Sequence, residues 1–164
     1  MAEIEKVIPG PGQESVWDFP RPPRIEVSKK KIRVMLNGVV VAQADTSLRV
    51  LETSHPPVYY IHMDCINQDF MHKTTKTTFC EFKGLSSHFT VEVADLKVVN
   101  GAWYYASPTP SYIDLKHHVA FYPSKFECYV GGERAQAQYG DFYGGWITSN
   151  VVGPFKGEPG TLNW

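Results

Sequence analysis

The pair Asn37-Gly38 stands between two short apolar runs, Ile32-x-Val34-x-Leu36 and Val39-Val40-Val41. Both residues tolerate positive φ, so the pair predicts a tight β-hairpin. Gly131-Gly132 sits in the same way between Cys128-Tyr129-Val130 and Glu133-Arg134-Ala135 and predicts a second one. Further strand candidates are 47–52, 57–62, 77–83, 87–93, 96–105, 118–122 and 125–130. Pro56-Pro57, Gly84-Leu85-Ser86 and Ser107-Pro108-Thr109-Pro110 punctuate them. Only 63–72 reads as helical, for about two turns. With 9 Tyr, 9 Phe and 4 Trp the aromatic load suits a β core.

The chain divides into three stretches. Residues 1–28 hold Pro9, Pro11, Pro20, Pro22 and Pro23 beside Gly10 and Gly12, which bars a regular helix or a central strand and predicts an extended arm anchored by Trp17 and Phe19. Residues 29–139 form the β domain, and 140–164 a glycine-rich extension packed back through Trp146, Phe155 and Trp164. A chain of 164 residues suits one domain. At this size it buries roughly two-thirds of its unfolded surface and needs no staples.

The formal net charge of −1 argues against nucleic acid or an anionic membrane as partner. Lys29-Lys30-Lys31-Ile32-Arg33 reads as a solvated strand edge. Three scattered cysteines, Cys65, Cys80 and Cys128, with no secretion signal in Met1-Ala2-Glu3-Ile4-Glu5-Lys6, predict free thiols in the cytoplasm. No apolar stretch is long enough for a membrane helix.

The residues point to no defined chemistry. There is no close cysteine pair for zinc, and the neighbours His117-His118 would face opposite sides of a strand. There is no phosphate loop and no Gly-x-Ser-x-Gly elbow. Asp64, Asp69, Asp95, Asp114 and Asp141 are isolated, so no magnesium-binding pair is evident; no cofactor is expected. Cys80 has Lys83 three residues on, which would lower its pKa if the two met. In a regular strand over 77–83 they point to opposite faces and meet only if a turn before Gly84 brings Lys83 around. Glu52, ahead of Val58-Tyr59-Tyr60, is either an exposed strand end or a carboxylate that orients a polar ligand.

Five segments in order resemble the family catalogued as domain of unknown function 427. They are Arg33-Val34 with Asn37-Gly38 and Val41-Ala42; Leu51-Glu52 with Pro57-Val58-Tyr59-Tyr60; Thr78-Phe79-Cys80-Glu81-Phe82-Lys83-Gly84; Trp103-Tyr104-Tyr105-Ala106-Ser107-Pro108; and Val119-Ala120-Phe121-Tyr122. The leading Ser15-Val16-Trp17-Asp18-Phe19-Pro20 and the tail around Tyr143-Gly144-Gly145-Trp146 resemble the long form found in cyanobacteria. The resemblance implies a compact, mainly β domain of the β-tent type, two sheets meeting at an angle, as in methionine sulfoxide reductase B and the thalidomide-binding domain of cereblon. The four-cysteine zinc site of many such relatives has no counterpart here. The family also carries a nucleotidyltransferase label, for which the aspartates offer no support.

The resemblance further implies a pocket built from Glu52, Tyr60, Cys80, Lys83 and Gly84, with Trp103 and Tyr105 as walls. Leu85 and His62-Met63 depart from the family pattern and would reshape it. Three functions follow as expectations: binding of a small polar molecule in a cleft between the two sheets; an enzyme using Cys80 as nucleophile or redox group tuned by Lys83; or an interaction module acting through the arms. The expected partner is an unidentified small molecule, and the chain is a monomer or dimer.

Overall fold

The structure, a computed structural model, describes residues 3–140 and 142–164. Met1 and Ala2 of the opening segment and Asp141 among the isolated aspartates lie outside the described residues. The strands run in chain order as β1 Glu14–Ser15, β2 Arg24–Ser28, β3 Ile32–Leu36, β4 Val39–Ala44, β5 Ser47–Leu51, β6 Val58–His62, β7 Met71–Cys80, β8 Gly84–Val93, β9 Leu96–Tyr104, β10 His118–Phe121, β11 Glu127–Val130, β12 Glu133–Arg134, β13 Gln136–Ala137, β14 Trp146–Ile147 and β15 Val151–Val152. The larger sheet has the order β2-β5-β6-β10-β9-β8-β7 and is antiparallel throughout; the smaller has the order β12-β11-β3-β4. The mainly β reading of the sequence stands.

Both predicted hairpins form where their turn residues require. Asn37 and Gly38 take φ of 53° and 73° between β3 and β4, and Gly131 and Gly132 take 57° and 86° between β11 and β12.

Alternation along the strands decides what each face of the larger sheet meets. Tyr59 and Ile61 of β6, Ala102 of β9, and Val119 and Phe121 of β10 pack on Ile32, Val34, Val41, Cys128 and Val130 of the smaller sheet. Tyr60, Trp103 and Ala120 alternate to the other face, where they cluster with Val50, Tyr105, Tyr112 and Leu115. The space between the sheets is therefore filled with side chains.

The helix expected over 63–72 is replaced by two short 3-10 turns, Met63–Cys65 and Gln68–Phe70. His62 Nδ1 accepts the Asp64 N–H at 3.1 Å and Asn67 Oδ1 accepts the Asp69 N–H at 3.1 Å. Such local side-chain acceptors compete with a continuing helix, and β7 begins at Met71 directly after the second turn. Among the described residues no helix is long and apolar enough to cross a membrane.

The two ends hold each other. The arm is not wholly irregular, because Arg24–Ser28 forms the edge strand β2 on β5. The extension likewise contributes β14 and β15, with β1 pairing β15 in parallel and β13 pairing β14. Val16 and Phe19 are buried with Leu51 and Val151, and the Trp17 indole N–H donates to the Pro154 carbonyl at 2.9 Å.

Arg49 clamps the arm to the sheet. Its guanidinium donates to both carboxylate oxygens of Glu14 at 2.8 Å and to Glu26 Oε1 at 2.7 Å. The hydrogen bond from Arg49 holds the Glu14 pKa below its ordinary value of 4.5, although partial burial works the other way. A lowered carboxylate stabilises the fold above the unfolded value and loses that contribution as pH falls through the lowered one. Glu14→Gln should therefore expose the arm to limited proteolysis at neutral pH, whereas the native arm should loosen only below about pH 4.5. Equal protease resistance of both proteins at pH 7 would remove the clamp as an explanation.

Candidate functional site

The turn that joins β7 to β8 brings the sequence candidates together. Cys80 pairs with Gly84 as the last step of the ladder, which leaves Glu81-Phe82-Lys83 as a three-residue loop. Gly84 takes a φ of 103°, a conformation that glycine adopts without strain. The reversal carries Lys83 to the same side as Cys80, so the opposite-face geometry of a regular strand does not apply. Thr109 pins the loop from outside: its N–H donates to the Lys83 carbonyl at 3.1 Å and its hydroxyl to the Phe82 carbonyl at 2.6 Å.

Beneath this loop a cavity of about 320 Å³ opens on the outer face of the larger sheet. Its position corrects the expectation of a cleft between the sheets, because the inner face is occupied by the main core. Glu52, Tyr60, Cys80, Lys83, Trp103 and Tyr105 all line it. Gly84 does not line it; its part is the turn, where its positive φ would strain any other residue. Leu85 and His62-Met63 are not on the lining either, and Leu85 points to solvent.

The floor is aromatic. The Tyr60 hydroxyl accepts the Trp103 indole N–H at 3.3 Å, and Trp103 packs on Tyr122 with ring centres 4.5 Å apart. Burial pushes the Tyr60 and Tyr105 hydroxyls above the ordinary tyrosine value, so both are neutral at physiological pH.

Lys83 is only 9% exposed, with its Nζ 5.9 Å from the centre of the Tyr105 ring. Burial works to lower its pKa, but the Tyr60 hydroxyl, the Cys80 thiol and the Glu52 carboxylate outweigh it, and the pKa lies above the ordinary 10.5. The side chain is thus an ammonium at neutral pH. It forms no ion pair among the described residues.

Glu52 is neither a free strand end nor an unengaged ligand. It accepts from Arg21 Nε at 3.3 Å and lies 3.5 Å from His55 Nε2. His55, three residues on, lines the cavity too. Gln138 settles its tautomer. The Gln138 amide nitrogen donates to the Lys156 carbonyl at 2.6 Å and its oxygen accepts the Gly145 N–H at 3.3 Å, so its remaining N–H meets His55 Nδ1 at 3.2 Å. With Nδ1 accepting, Nε2 carries the proton and faces Glu52. Burial, then Lys156, Arg21 and Lys83, drive the His55 pKa down to about 3. Both ring nitrogens are occupied and the ring stays neutral, so His55 positions Glu52 and Gln138 and does not shuttle protons.

The C-terminal extension supplies the remaining wall through Phe142, Tyr143, Gly144 and Lys156. Gly144 lies so close to the Trp103 ring that any side chain there would overlap it. His55, Gln138, Tyr143 and Lys156 are the site residues that sequence reasoning missed. The only local signal was the Glu52-x-x-His55 spacing; the rest meet across the fold.

The family model described as Domain of unknown function (DUF427) matches residues 24–132. No curated protein matches the chain. The match covers the whole of the larger sheet and β3, β4 and β11 of the smaller one, ending in the β11–β12 turn, and the chain belongs to this family.

Proposed function

We propose that this DUF427 domain is a cytoplasmic protein that binds a small, flat, anionic molecule on the outer face of its larger sheet. The observation that carries the reading is Lys83: a charged ammonium, almost fully buried on the cavity wall, that makes no ion pair among the described residues while Glu52 is held by Arg21 and His55. Burying a charge unpaired is unfavourable, and a bound anion relieves that cost. The Trp103, Tyr105 and Tyr122 rings offer surfaces for a flat body. The volume sits at the low end of ligand pockets, which run from about 300 to 1,000 Å³, and favours a molecule of one or two rings. Because the Lys83 pKa is raised, the neutral amine needed to attack a carbonyl is scarce, which favours electrostatic anchoring over Schiff-base chemistry.

Benzoate and benzamide share a ring and a size but differ in charge. Calorimetry should register benzoate binding and no benzamide binding at equal concentration. If benzoate, salicylate and indole-3-carboxylate all fail to bind, or benzamide binds as well as benzoate, the reading is wrong.

One observation favours a second reading, in which Cys80 is a nucleophile or redox thiol: it is half-buried on the cavity wall beside the Lys83 ammonium. Iodoacetamide should then modify Cys80 at neutral pH faster than it modifies free cysteine, and bound benzoate should slow that reaction. Cys128, fully buried with its thiol pKa pushed up by desolvation, should stay unmodified in the native protein. Slow alkylation of Cys80 would remove the enzyme reading and leave binding untouched. The interaction reading is weaker, because the arm's Val16 and Phe19 and the extension's Trp146 are consumed inside the molecule.

A further inference from the structure

We propose that the ligand is a dianion, its inner negative charge received by Lys83 and its outer one by Lys156, so that the C-terminal extension selects doubly charged molecules over singly charged ones. This rests on the anion-binding reading above and adds the charge class of the ligand.

The charged lining of the cavity consists of Lys76, Lys83 and Lys156 with Glu52 and Glu81. Glu52 is already engaged by Arg21 and His55, and Glu81 is exposed at the tip of the loop. None of the three lysines has an ion-pair partner among the described residues. With Glu52 offset by Arg21, the three lysines outnumber the remaining carboxylate, Glu81, by two, an excess that one monoanion leaves partly unmatched.

Lys156 is no loose surface lysine. Its backbone N–H donates to the Ser54 carbonyl at 2.9 Å, and its own carbonyl accepts from Gln138. Its Nζ lies over the Tyr143 ring, 5.6 Å from the centre. Tyr143 in turn packs edge-on against His55, with ring centres 5.1 Å apart. The next residue, Gly157, passes so close to the Tyr139 carbonyl that no side chain fits. Lys156 is half-buried where Lys83 is buried, so of the two cations on the lining it is the more accessible to solvent. Both cations lie near enough to His55 to help depress its pKa. Lys156 and its Tyr143 support lie beyond residue 132, where the family match ends. Charge selection is thus a property of the extended form of the domain.

Calorimetry at matched ionic strength with benzoate, isophthalate and phenyl phosphate tests this; the last two separate a dicarboxylate from a phosphate monoester. At least one dianion should bind about tenfold more tightly than benzoate. Lys156→Met should bring that dianion down to the affinity of benzoate, with a far smaller effect on benzoate itself. Lys97→Met, which removes a lysine away from the cavity lining, should leave the preference in place. Failure of both dianions to bind better than benzoate, a preference that survives Lys156→Met, or a Lys156→Met variant that weakens both ligands equally would overturn the proposal while the anion site stands. Failure of benzoate itself to bind would instead strike the underlying reading.

Discussion

Trp146→Ala should destabilise the protein by about 3–5 kcal/mol, the range for emptying a large aromatic site in a packed core. Trp146 belongs to the glycine-rich extension, yet it is fully buried among the residues that join the two sheets. Its ring packs on Tyr59 with centres 5.0 Å apart, and its indole N–H donates to the Phe121 carbonyl at 3.1 Å. Alanine would leave both a cavity and an unpartnered buried carbonyl. Phenylalanine would keep most of the ring and lose the hydrogen bond, a smaller effect of about 1–2 kcal/mol. Urea unfolding of the three proteins should rank them native, Phe, Ala. By the same argument a chain trimmed to the family match at residue 132 should fail to fold. If Trp146→Ala shifted the midpoint by less than its phenylalanine counterpart, the extension would be an accessory and not part of the core.

The legible parts of this fold are those where one or two residues decide a local geometry. Asn37-Gly38 and Gly131-Gly132 declare their hairpins because few other residues take positive φ so readily. The cleft was misplaced for a matching reason. In β6 and β9 both faces carry large apolar side chains, Tyr59 and Ile61 against Tyr60, and Ala102 and Tyr104 against Trp103. Alternation reveals two buried faces without saying which of them meets the second sheet.

Of the candidate site, Glu52, Tyr60, Cys80, Lys83, Trp103 and Tyr105 were gathered through the family resemblance, and the structure sets them around one cavity. The residues that complete it escaped because their partners are remote. Gln138 reaches His55 across 83 positions, and the Lys156 carbonyl across 18. Glycine at 144 and 157 reads in sequence as turns of an irregular, packed-back extension, whereas in the structure both mark places where backbone meets another residue too closely for a side chain. Composition cannot separate these two uses of glycine.

Lys83→Met should weaken benzoate binding by roughly thirtyfold or more, the value of one charge-assisted hydrogen bond of about 2 kcal/mol, while leaving a folded protein. Methionine keeps an unbranched stem of similar length, and the backbone contacts of the loop to Thr109 do not depend on the side chain. The pH dependence gives an independent check on which group receives the anion. Lys83 has a raised pKa, so its charge is present below the ordinary 10.5 and is lost only as pH rises through the higher folded value. His55, at about 3, is neutral throughout the physiological range. Benzoate affinity should therefore stay level between about pH 6 and pH 9. It should fall only in strong alkali, or in acid once benzoate itself is protonated. A step near the ordinary histidine value, or a Lys83→Met variant that binds benzoate normally, would take the anion away from Lys83 and leave the aromatic floor of the cavity without its charge anchor.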